Sequence, residues 1–131
     1  MRRPEKVAEL MREEIAQVVG YELEDPRLGV VTVTDVRMSE NLREARVYVT
    51  LSGTEQEAAA ALRALEHAAP YVRRRVALEL NLKRTPEVHF IRDTIEEKAT
   101  RVDELLTELE HEHGAAANES VERGERMMND K

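Results

Sequence analysis

Cysteine and tryptophan are both absent from the 131-residue chain. Without cysteine there is no disulfide and no thiolate metal site, which suits a reducing cytosol. The aromatic residues are Tyr21, Tyr48, Tyr71 and Phe90, too few for a platform on which successive bases stack. The five glycines stand at 20, 29, 53, 114 and 124, so the chain has no glycine-rich phosphate loop. No apolar run approaches the roughly 20 residues of a membrane helix. The basic N-terminus, MRRPEKVAEL, continues as a charged helical pattern where a secretory signal needs an apolar block. The expectation is a soluble cytosolic protein with no membrane contact.

Catalytic constellations are also missing. Ser39, Ser52 and Ser120 lack the setting of an activated nucleophile. His111 and His113 form a pair without further metal ligands, and His67 and His89 read as surface or packing residues. Glu13–Glu14 and Glu96–Glu97 read as solvated helix faces, because adjacent helical positions do not face one another. No enzyme, metal, cofactor or small-molecule substrate is expected.

What is present is charge, unevenly placed. The net charge is −7. Residues 93–131 carry 12 acidic and five basic side chains, so residues 1–92 are neutral. Within that neutral part, residues 71–92 hold six Lys or Arg against two Glu. Local charge decides where a phosphate backbone can dock, whereas the total acts mainly on solubility and steering.

Apolar spacing predicts the elements. Val7, Leu10, Met11, Ile15, Val18 and Val19 make one face of a helix over 4–23, which DPRLG (25–29) must end. VVTVTDVRM (30–38) reads as a strand. REARVYVTL (43–51) alternates, with Ala45, Val47, Val49 and Leu51 on the buried face. Thr54 and Glu57 have capping-box spacing and open a helix whose stripe is Ala58, Ala61, Leu62, Leu65 and Ala69. A further helix with Val72, Val76 and Leu80 runs to about Leu82, and EVHFI (87–91) reads as a third strand. Thr94 and Glu97 repeat the cap before a last helix, with Ile95, Ala99, Val102, Leu106 and Leu109, ending near Glu110. Residues 111–131 are polar and are expected to be an acidic disordered tail. The prediction is an α/β two-layer sandwich spanning 1–110, followed by that tail.

Pro70 interrupts the helical pattern. A proline in a helix interior costs about 3 kcal/mol, while the first position of a new helix suits it. The sequence therefore predicts two helices joined by a kink at Ala68, Ala69 and Pro70. The second would begin with free N–H groups, a favourable place for anions. Arg73, Arg74 and Arg75 follow at once, with Lys83 and Arg84 beyond. Such a run is by default a solvated face; a kink, a helix start and a basic run together favour phosphate binding. Tyr71 could stack one base beside the arginines.

In this order, DPRLG (25–29), VTVTDV (31–36), ARVYVT (45–50), APYVRRR (69–75), TPEVHF (85–90) and DTIEEKATRVDELL (93–106) resemble the ribosome-binding factor A family over roughly residues 1–110. The resemblance implies a KH-like fold of the second type, α-β-β-α-kink-α-β with a C-terminal helix. It also implies a monomeric, non-enzymatic RNA binder. Such a factor binds rRNA in the immature small ribosomal subunit, near the rRNA 5′-terminal helix and the decoding region, assists maturation of the 5′ end, and leaves before translation. Ordinary KH domains clamp the backbone with a GxxG loop; the family uses an Ala-x-Gly kink instead, and here Pro70 stands where glycine is usual. The implied site is Tyr71, Arg73, Arg74, Arg75, Lys83 and Arg84. A protein-interaction module that binds no RNA is the alternative.

Overall fold

The computed structural model describes residues 4–121. Its elements are α1 (Pro4–Tyr21), β1 (Val31–Met38), β2 (Glu44–Leu51), α2 (Glu55–Leu80), β3 (Glu87–Arg92) and α3 (Ile95–Val121). They fall into two units, Met1–Asp93 and Thr94–Lys131.

In the first unit the three strands form one sheet in the order β1-β2-β3. β1 and β2 pair antiparallel across a short turn, and β2 and β3 run parallel. A parallel pair needs a long crossover, and α2 supplies it. The sheet is covered on one face: Val7, Met11, Ile15, Val18 and Val19 of α1 and Ala64, Leu65, Val72 and Val76 of α2 share a core with Val36, Ala45, Val47, Val49, Val88 and Phe90. This is the expected mixed α/β layering, with the expected inward face of β2.

The capping box is present in full. The Thr54 N–H donates to Glu57 Oε1 at 2.8 Å, and the Glu57 N–H donates to Thr54 Oγ1 at 3.1 Å. Gly53 before it takes φ +95°, and a Cβ there would collide with the Glu57 carboxylate. Gly53→Ala is therefore expected to combine backbone strain with loss of the cap, costing about 2 kcal/mol. An unchanged urea midpoint would refute this.

Four expectations are corrected. The two helices around Pro70 are one: α2 continues for 26 residues with Pro70 inside it. No new helix N-terminus follows Pro70, so the expected anion-binding amides are absent. Fully buried Leu65 and Val72 flank the proline, and keeping both in the core opposes the cost of one missing hydrogen bond. The stop comes at Asn81 rather than Leu82. Asn81 adopts left-handed angles (φ 51°, ψ 45°), and its N–H reaches the Ala77 carbonyl.

The last helix does not end near Glu110 but runs to Val121, so residues 111–121 of the expected tail are helical. A helix needs only local hydrogen bonds once begun, and Ala115, Ala116 and Ala117 have the best helix propensity. The rest of the expected tail, 122–131, lies outside the described residues. Finally, Tyr48 is buried although it sits on the sheet face away from α1 and α2. It lies between Asp35 and Ile91 in register, and the Arg46 guanidinium carbon is 6.0 Å from its ring centre. The β1 register shifts at Thr34, whose hydroxyl reaches Asp93 Oδ2 at 2.5 Å.

Candidate nucleic-acid interface

The C-terminal half of α2 and the connection to β3 carry the predicted site residues. Val72 and Val76 face the core, and each helix position turns about 100° from the last. Arg74 therefore points outward, with Arg73 and Arg75 flanking the buried stripe. Because α2 is continuous, these three arginines sit in its final third. The expected conflict between cations and a positive helix start does not arise. Lys83 and Arg84 follow the Asn81 cap, where cations favour the negative end of the helix dipole.

The three arginines differ in what they already do. Arg73 Nε donates to the Pro86 carbonyl at 3.1 Å and its Nη2 to the Thr85 carbonyl at 2.8 Å, tying α2 to the segment that enters β3. Arg75 Nε donates to Glu22 Oε1 at 3.1 Å. That same oxygen accepts from the Tyr71 hydroxyl at 2.6 Å, which holds the phenol above its usual range. Arg74 lies over the Tyr71 ring, 5.8 Å from its centre. It takes part in no ion pair among the described residues, and neither do Lys83 and Arg84. The free cationic strip is thus Arg74, Lys83 and Arg84. Arg73 and Arg75 have structural partners that spacing along the chain does not reveal; Glu22 lies 53 residues from Arg75. Ala68, Ala69 and Pro70 lie inside α2, just ahead of this strip.

The DPRLG loop is built by a separate lock. Arg27 grips Asp25 with Nε at 3.1 Å, Nη2 at 2.7 Å and its backbone N–H at 2.9 Å. These bonds hold the Asp25 carboxyl down at about 2. A depressed carboxyl keeps its partner above its ordinary value of 3.8 and releases it as pH falls through about 2. A carboxyl-carbon NMR titration of Asp25 is expected to show that low midpoint, and a midpoint near 3.8 would contradict the lock.

The structure defines a mixed α/β domain, a three-stranded sheet covered on one face whose crossover helix is followed by exposed cations. Comparison with known proteins agrees. The sequence profile of ribosome-binding factor A matches residues 3–106, and the chain belongs to the ribosome-binding factor A family. It is 44% identical over 110 residues to ribosome-binding factor A of Thermomicrobium roseum, covering 84% of this chain and 85% of that protein. It is 39% identical over 119 residues to that of Solibacter usitatus, covering 91% and 97%. The crystal structure of ribosome-binding factor A from Thermus thermophilus superposes with a TM-score of 0.62 at 28% identity, over 70% of this chain and 97% of that one. A Thermus thermophilus homology model fitted into a cryo-EM map of a 30S complex gives 0.54 at 32% identity, over 63% and 86%.

Proposed function

We propose that this chain is a non-catalytic ribosome assembly factor that binds small-subunit rRNA in immature small ribosomal subunits. It assists maturation of the rRNA 5′ end and leaves before translation, acting in the cytoplasm as a monomer. Family membership and the relative fitted into a 30S complex support the partner. The observation that carries the RNA contact is the strip of Arg74, Lys83 and Arg84, exposed cations on a chain whose excess charge is acidic. Phosphates are the natural ligands of such a strip, with Tyr71 beside Arg74 shaping its approach. Contacts of this type position a backbone rather than read bases.

Depletion of the factor in its host is expected to accumulate small-subunit rRNA with an unprocessed 5′ end, restored by the wild-type chain. Normal rRNA ends after depletion would remove the assembly role. A protein-docking reading draws on α3, where Ile95, Val102, Leu105, Leu106 and Leu109 are exposed. It predicts that Leu106→Asp abolishes subunit binding while removal of the cationic strip leaves it intact.

A further inference from the structure

Glu22 Oε1 receives two donors at once, the Tyr71 hydroxyl at 2.6 Å and Arg75 Nε at 3.1 Å. Both donors come from α2, one turn apart at i and i+4, and the acceptor from the residue just after α1. Arg74 adds a second cation beside the Tyr71 ring. A single anionic oxygen thus sits in a cradle of one phenol O–H and one guanidinium N–H, with another guanidinium close by. Hydroxyl and guanidinium donors are the groups that commonly hold phosphate oxygens in nucleic-acid complexes.

The seat is reachable. The side chains of Arg75 and Glu22 are 32% and 30% exposed, so solvent reaches the pair and screens it. It adjoins Arg74, the inner end of the free cationic strip. Glu14 feels the same pair: burial first, then Glu79, push its carboxyl up, with Glu22 adding and Arg75 opposing.

We propose that Tyr71 and Arg75 form a phosphodiester-oxygen site of the RNA interface, and that Glu22 fills this site in the free protein and must be displaced by RNA. The inference rests on the reading of the chain as an rRNA-binding factor. Glu22 then acts as a built-in competitor that weakens binding and makes release easier.

The test is binding of the full chain to purified small ribosomal subunits across a salt series, with melting temperatures measured alongside. Glu22→Gln keeps the acceptor and removes the charge. It is expected to tighten binding about three- to tenfold and to steepen the log–log salt slope by about one. Glu22→Asp keeps the charge on a shorter arm that cannot reach the seat as well, and a smaller gain is expected. Glu14→Gln removes an equal nearby charge without vacating the seat and is expected to give less than half the effect of Glu22→Gln. In an Arg75→Gln background the gain from Glu22→Gln should disappear. Unchanged or weaker binding of Glu22→Gln, beside a wild type that binds, would leave Glu22 as a tie between α1 and α2 and overturn the proposal. So would a gain that persists without Arg75. A wild type that binds no subunit at any salt overturns the functional reading itself, and this proposal with it.

Discussion

Replacing Pro70 with alanine is expected to make the protein more stable and a weaker ribosome binder. Pro70 has no N–H to give the Glu66 carbonyl, and its ring crowds that carbonyl. Alanine restores the bond and removes the crowding, a gain of about 3 kcal/mol in an unconstrained helix. For a domain of this size that raises the melting temperature by on the order of 10 °C. An interior proline also bends a helix, and the small Ala68 and Ala69 beside it leave room for a bend. If Pro70 bends α2, its removal re-aims the last turns, and with them Arg74 and the start of the Lys83–Arg84 segment. Subunit affinity is expected to fall several-fold although every phosphate-facing residue is unchanged. A lower melting temperature would mean that Leu65 and Val72, both fully buried, pack only with the proline in place. Unchanged affinity would detach the proline from the interface.

The second large effect is expected from Arg74→Ala, Lys83→Ala and Arg84→Ala combined. These side chains are exposed and form no ion pair among the described residues, so surface substitution should move stability by less than about 1 kcal/mol. If each meets one phosphate, subunit affinity should drop on the order of a hundredfold at moderate salt. Arg73→Ala makes the contrast. It removes two hydrogen bonds to the carbonyls of Thr85 and Pro86, so its main effect should be on the thermal midpoint rather than on binding. A triple variant that unfolds, or an Arg73 variant that binds more weakly at unchanged stability, would reverse these assignments.

Much of this structure is legible in the sequence because it is local. The stripe of Val7, Met11, Ile15 and Val18, the alternation of β2 and the Thr54–Glu57 box are each set within a few residues. Pro70 misleads because its local penalty is visible in the sequence while the core on both sides of it is not. The helical segment 111–121 escapes sequence reading for a related reason: polarity suggests disorder, yet Ala115, Ala116 and Ala117 favour extending a helix already begun. Asn81 is a readable stop, since asparagine tolerates left-handed angles, but the apolar pattern continuing to Leu82 masks it. The partners of Arg73 and Arg75 are out of reach of spacing. Thr85 and Pro86 meet Arg73 only once β3 returns beside β2, and Glu22 meets Arg75 only once α1 and α2 pack together. The basic strip is therefore visible from composition, and its division into structural and free cations is not.

The salt dependence of small-subunit binding tests the central claim most directly. Affinity of the wild type and of the Arg74, Lys83 and Arg84 triple variant should be compared from low to moderate salt. If these cations grip the rRNA backbone, the wild type shows a steep log–log slope and the variant one shallower by about three, one for each phosphate no longer neutralised. Parallel slopes for the two proteins would contradict this, because the cations would then meet no phosphate.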